Sequence, residues 1–156
     1  MTRSHAWVRK GCEYVERTPM NWGRNLTLLG AIRLTGWVLL STMFASTNKA
    51  RFVDWLAKKL LPRLNRGDVL VMDNLSAHHD ERVRPLCAAR GVRVIYLPPY
   101  SHDFNPNELG WGLQKQHVRR HAPRDPFSLR RVARRARFRV TAHHCRQWFA
   151  HAGYAV

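Results

Sequence analysis

Residues 68–111 read DVLVMDNLSAHHDERVRPLCAARGVRVIYLPPYSHDFNPNELGW, and the order of signals in this stretch decides the fold. Val69–Met72 is a short apolar run that ends at Asp73. It predicts a buried strand that delivers a carboxylate to its C-terminal edge. Residues 81–90 predict a helix with Val83, Leu86, Cys87 and Ala88 as apolar positions, stopped by Gly91. Val92 and residues 94–97 predict the next strand, which Pro98 and Pro99 end because proline has no ladder donor. Asn105-Pro106 marks a turn, and Glu108 opens a further helix. Right-handed crossovers between parallel strands place Asp73 and Glu108 at the same end of the pair.

Two carboxylates gathered in this way suit a hard divalent cation, which takes oxygen ligands and keeps several waters. Such an ion activates water and stabilises charge on a phosphodiester. The plainer alternative is that Asp73 merely starts a loop and Glu108 merely opens a helix, and the residue types alone favour that alternative.

Working outward, residues 26–34 predict a strand, Gly36 a turn, and residues 37–44 an antiparallel partner rich in β-branched and aromatic residues. Thr47 or Asn48 caps a helix running to about Leu61, with Phe52, Val53, Leu56 and Leu60 on one face and Pro62 at its end. After Glu108 a helix runs to about Arg120, burying Trp111, Leu113 and Val118. Lys115 follows Glu108 by about two helical turns and so shares its side. It is either a phosphate contact or a solvated lysine. His121-Ala122-Pro123 breaks the helix. A single last helix is expected from Pro126 towards His151, burying Leu129, Val132, Ala133, Ala136, Val140, Trp148 and Phe149. Residues 1–25 interleave Arg3, Arg9, Lys10, Arg17 and Arg24 with Trp7, Tyr14 and Trp22, as either a nucleic-acid contact or an extended edge segment. No repeat or linker marks a second domain.

The charge balance narrows the partners. Lys and Arg number 27 against 10 Asp and Glu, a formal net charge of +17, so a polyanion is the natural partner. Arginine predominates, which favours bidentate phosphate contacts. The last helix carries Arg130, Arg131, Arg134, Arg135, Arg137 and Arg139, while beyond Glu108 the only acid is Asp125. Phosphate accounts for such uncompensated repulsion better than a solvated face does. No apolar run approaches the length of a membrane span. Cys12, Cys87 and Cys145 are too scattered for a disulfide framework and read as thiols of a reducing compartment. His143, His144 and Cys145 diverge around a helix, which argues against a zinc site.

The strings VLVMDNLSAHH (69–79), GVRVIYLPPYSHDFNPNE (91–108) and QKQHVRR (114–120) resemble the catalytic Asp-Asp-Glu (DDE) domain of insertion-sequence transposases of the mariner-like superfamily. The resemblance covers nearly all of residues 1–156. It implies a ribonuclease-H-like α/β fold, a mixed sheet with flanking helices. It also implies metal-dependent cleavage and joining of DNA ends with Mg²⁺ or Mn²⁺. In that family the second acid lies at the DN of the strand end and the third in the NP-x-E string. Asp73 and Glu108 occupy those positions, with 34 residues between them. His78 matches a histidine near the family's site, and a loop hydrogen bond is its alternative role. His78, Lys115, Arg119, Arg120, Arg130, Arg131, Arg134 and Arg135 are the candidate DNA contacts. DNA is the expected partner, and a cytoplasmic, nucleoid-associated location follows.

The pattern departs from the family in three places. The first acid belongs to the first, central strand, and by the resemblance both fall upstream of Met1. The chain is therefore expected to be a partial catalytic domain, whose missing acid is supplied by an upstream-encoded transposase segment or within a homo-oligomer. Whether it is an enzyme alone is left open. The alternatives are a non-catalytic DNA-binding or oligomerisation remnant and a basic RNA-binding protein. His102 stands where the family commonly has proline, and Asn107 where it has an apolar anchor, which is expected to loosen the aim of Glu108.

Overall fold

The computed structural model describes residues 7–13, 15 and 25–156. Most of the basic, aromatic segment read at residues 1–25 lies outside these. Strands β1 (Thr27–Arg33) and β2 (Gly36–Met43) form an antiparallel hairpin, in register from Thr27 opposite Met43 to Arg33 opposite Gly36. Gly36 has φ +129°, a conformation that disfavours any side chain at this turn.

Helix α1 (Lys49–Trp55) follows, and its cap is Asn48, whose side chain accepts the Arg51 N–H at 2.9 Å. The helix widens into a π-type turn over Leu56–Leu60 and closes in a 3₁₀ turn, Leu61–Arg63. Pro62 thus sits inside the last turn rather than beyond it. The widened turn has a packing consequence. The adjacent pairs Trp55–Leu56 and Leu60–Leu61, five residues apart, both face the core. With Phe52, Val53, Met72, Val83, Cys87, Val92 and Val94 they make the main apolar cluster.

Strands β3 (Val69–Met72) and β4 (Arg93–Tyr96) pair in parallel, Val69 opposite Arg93 and Met72 opposite Tyr96, as the two-acid reading requires. Helix α2 (Val83–Ala89) makes the crossover. It starts two residues later than expected, with Pro85 confined to its first turn, where a missing N–H costs nothing. Val83 and Cys87 are fully buried, but Ala88 is exposed. It lies about 140° around the helix from Val83, off the inward face. The expectation of a buried β3 also needs correction. Only Met72 is buried, and Val69 is 41% exposed.

The cause is the sheet arrangement. Among the described residues the four strands form two separate pairs, β1–β2 and β3–β4. Each of β1 and β3 therefore has one edge without a ladder. These strands line a shared slot of about 210 Å³, with Ala31–Leu34 on one wall and Asp68–Val71 on the other. At one end Arg33 Nη2 reaches Asp68 Oδ2 at 3.2 Å.

The C-terminal third is helical: α3 (Asn107–His121), α4 (Pro126–Ala136) and α5 (Ala142–His151). The single last helix expected from Pro126 is thus two helices, joined by a 3₁₀ turn at Arg137–Arg139 and a new cap at Thr141. The reason is Gln114 of α3, which is 1% exposed. With its amide oriented to satisfy both groups, it donates to Ala133 O and accepts from Arg137 N–H, each at 3.2 Å. Ala133 C=O and Arg137 N–H are an i→i+4 pair. A side-chain amide inserted between them takes the bond that would have continued the helix. Of the positions expected to be buried here, Ala133, Ala136 and Val140 are buried, while Leu129, Val132, Trp148 and Phe149 are half-buried, like Trp111 and Leu113 of α3.

Candidate active site and basic helix face

Asp73 is the first residue after β3, and Leu97 N–H donates to Met72 O at 2.8 Å, so the two parallel strands end together. A short 3₁₀ turn, Ser76–His78, folds back over this edge. It is held from two sides. The Phe52 ring of α1 lies 4.3 Å from the His78 ring, and Tyr96 Oη of β4 donates to His78 O at 2.9 Å. His78 Nδ1 then stands 2.7 Å from Asp73 Oδ1, with both side chains largely buried. The Leu75 N–H adds a longer contact to the same oxygen at 3.4 Å.

Opposing influences act on Asp73. Burial is the largest and pushes its pKa up. The His78 hydrogen bond and charge, the Leu75 N–H and the charge of His102 pull it down, and together they prevail. Asp73 is held as a carboxylate. His78, matched in sequence to a site histidine, thus pairs with Asp73 at the end of β3.

Glu108 lies exposed in the first turn of α3, where its N–H donates to Asn105 O at 3.0 Å. A carboxylate there also faces the positive end of the helix dipole. Asn107 does not loosen this end. Its Nδ2 donates to Gly30 O of β1 at 3.2 Å, replacing an apolar anchor with a hydrogen bond across 77 residues of sequence. The Asn107 Oδ1 beside the slot is buried without a partner among the described residues. Gly30 itself admits the close packing of two tryptophans, since a Cβ there would fall 2.6 Å from Trp37 Cζ3 and 3.0 Å from Trp111 Cη2.

Between β4 and α3, Tyr100 is 98% exposed with φ 59°, a left-handed conformation costly for a tyrosine. Sequence reading missed it, and the Pro98-Pro99 pair gives no signal for it, since proline restricts the residue before it and not the one after. Among the described residues no group of three or more His, Cys, Asp or Glu side chains is arranged to hold a metal ion. Asp54 pairs with Lys58 and Asp80 with Arg82, so both acids serve local ion pairs.

Lys115, Arg119 and Arg120 lie exposed along α3. On α4, Arg130 reaches back to β2, with its Nε 3.2 Å from Thr42 Oγ1 and its guanidinium over the Phe44 ring. It also lines, with Arg131, Arg134, Arg135, Arg137, Phe127 and Phe138, an open groove of about 440 Å³. No described helix is long and apolar enough to cross a membrane.

Residues 1–129 match the family model described as DDE superfamily endonuclease. Among solved structures, the fold is similar to a Mos1 transposase paired-end complex with left transposon end, with TM-score 0.54 and 18% identity over 98% of this chain and 52% of that one. It is similar to the Mos1 strand transfer complex with TM-score 0.54 and 18% identity, over 97% and 50% of the two chains. The catalytic domain of Mos1 mariner transposase aligns with TM-score 0.51 and 14% identity, over 83% of this chain and 74% of that one. The chain spans about half the length of the first two. A search of curated protein sequences gives no match.

Proposed function

The chain belongs to the DDE superfamily endonucleases, and from that membership we propose that it supplies most of a transposase catalytic domain that hydrolyses a DNA phosphodiester and joins the freed 3′-hydroxyl to target DNA. Its fold is the ribonuclease-H-like α/β fold. Endonucleases of this superfamily depend on divalent metal ions.

Asp73 and Glu108 are the proposed ligands, for Mg²⁺ or Mn²⁺. The donor set fits a hard cation. Asp73 is kept ionised, and Glu108 is open to solvent, so a bound ion would keep water in its shell. The ion, when bound, polarises the scissile phosphate and an attacking water or hydroxyl. His78 orients Asp73, and the Asn107 bond to Gly30 fixes the start of α3 beneath Glu108. Lys115, Arg119, Arg120, Arg130, Arg131, Arg134 and Arg135 meet phosphates without reading bases. Such a protein works on chromosomal DNA, associated with the nucleoid.

Two carboxylates are too few to hold a pair of metal ions. We propose that a third arrives on an extended segment from outside the described residues, or from a second copy of the chain, seated in the slot between β1 and β3. Two facing strand edges are a template for such a strand. Without a third carboxylate in that slot, little or no strand transfer is expected.

The observation that carries this reading is the His78-held carboxylate at the end of β3, beside the parallel strand whose loop leads to Glu108. Calorimetric titration of the chain with Mn²⁺ tests it. Weak binding is expected, lost in both Asp73→Asn and Glu108→Gln. Binding that survives both substitutions refutes the assignment. DNA binding should persist in chelator and weaken steeply as salt rises from about 0.05 to 0.5 M.

A further inference from the structure

The outer face of α4 carries more than a charge. Ala133 and Ala136, each 1% exposed, mark the inner face. At about 100° per residue, Phe127, Arg131 and Arg134 fall within about 60° of one another on the opposite side, and Phe138, in the 3₁₀ turn that follows α4, lines the same groove. Phe127 is 79% and Phe138 72% exposed. Two exposed phenylalanines thus flank the arginine row at its two ends. Folding does not explain them, because the apolar needs of α4 are met on its other side. Duplex phosphate does not explain them either, since arginine alone serves that contact.

We propose that this face is a platform for single-stranded DNA, in which Phe127 and Phe138 stack on unpaired bases and Arg131, Arg134 and Arg135 hold the intervening phosphates. The proposal rests on the DNA reading above and adds which form of DNA this face takes. In a duplex the base faces are hidden by stacking, whereas a single strand offers them to aromatic rings. Phe127 stands in the first turn of α4 and Phe138 in the 3₁₀ turn beyond its end, with the arginines between them, so the rings engage different bases with phosphates between them. Both rings and all three arginines line one open groove. The Arg137 guanidinium stacks over the Phe138 ring at 4.6 Å and fixes its orientation. The only acid in the α4 sequence neighbourhood, Asp125, is occupied in capping, where it accepts the Ser128 N–H at 2.9 Å. A membrane-lying helix would instead show a broad apolar face outward, and here that face is turned inward.

The test compares a fluorescent single-stranded oligonucleotide with its own duplex, by anisotropy, on the full chain in chelator at one moderate salt concentration. The Phe127→Ala, Phe138→Ala double variant should lose about tenfold in single-strand affinity per ring, with duplex affinity unchanged. Tryptophan at both positions should restore it. Arg131→Ala with Arg134→Ala should weaken both DNA forms. Equal loss on the two forms, or no loss on either, overturns the proposal and leaves the wider DNA reading standing. Phenylalanine-dependent binding to anionic phospholipid vesicles without a single-strand preference overturns it in favour of a membrane surface. Failure of the parent chain to bind either DNA form overturns the DNA reading itself, and this proposal with it.

Discussion

Replacing Gln114 with methionine removes the amide that joins α3 to the end of α4 while keeping the volume of the side chain. The parent residue is 1% exposed and makes two hydrogen bonds of 3.2 Å, to Ala133 O and from Arg137 N–H. Each buried bond contributes about 0.5–1.5 kcal/mol net, and each orphaned partner costs about 1–3 kcal/mol. The two orphans are an i→i+4 pair, so α4 recovers one bond by closing directly on itself. A net loss of about 2 kcal/mol is expected. For a domain of this size that lowers Tm by about 4–8 °C. Closure also lengthens α4 through the 3₁₀ turn, so helical ellipticity should hold or rise although stability falls. Gln114→Glu should be worse than methionine, because a carboxylate offers no donor to Ala133 O and is costly to bury. Thermal unfolding followed by circular dichroism reads both effects. A methionine variant as stable as the parent, or a glutamate variant no worse than methionine, would refute the bridging role.

Other perturbations probe the site and its supports. Gly30→Ala forces a methyl against Trp37 and Trp111; a loss of about 1–3 kcal/mol in urea unfolding is expected, and an unchanged midpoint contradicts the close approach. His78→Ala leaves burial less opposed at Asp73, so the carboxyl pKa should rise; stability should fall by about 1.5–3 kcal/mol from loss of a charged hydrogen bond. His78→Asn, which keeps a donor near Nδ1, should recover part of both, and carboxyl-carbon NMR titration decides. Asp80 is drawn down to about 2, chiefly by its hydrogen bonds from Arg82. A carboxyl depressed on folding stabilises above its unfolded pKa and loses that contribution as pH falls through the folded value. Arg82→Ala should therefore move acid unfolding to higher pH by a small amount, the pair being exposed, and an unmoved acid limb counts against it.

Much of the frame was legible because punctuation residues carry local information. Gly91, Pro98-Pro99 and Asn105-Pro106 bounded β4 and its loop, and alternating helix and strand signals gave the parallel pair, with Asp73 directly after β3. What was not legible was non-local. The break at Ala136 has no Gly or Pro to announce it; it comes from Gln114, some twenty residues earlier on another helix. The exposure of Val69 depends on which strand lies beside it, and apolar composition says nothing of neighbours. Arg130 read like its fellow arginines and lines their groove, but its added contact to Thr42 of β2 depends on the fold. His78 was marked as a loop or site histidine. Its grip on Asp73 needed the positions of Phe52 and Tyr96 as well.

The division of the strands into two pairs bears on how the chain folds. Each pair joins segments near in sequence, the hairpin from residues 27–43 and the parallel unit from residues 69–96, and among the described residues no backbone ladder links them. Their coupling runs through side chains: Leu29, Ala31, Val38 and Leu39 of the hairpin pack on the core that holds Met72 and Val94, and Arg33 pairs with Asp68. Low contact order within each pair favours its rapid nucleation, and separate protection of the two pairs in hydrogen exchange is the expected signature. A strand seated between them would fuse the two into one cooperative unit, so occupancy of that gap would be read as a single, later-melting transition.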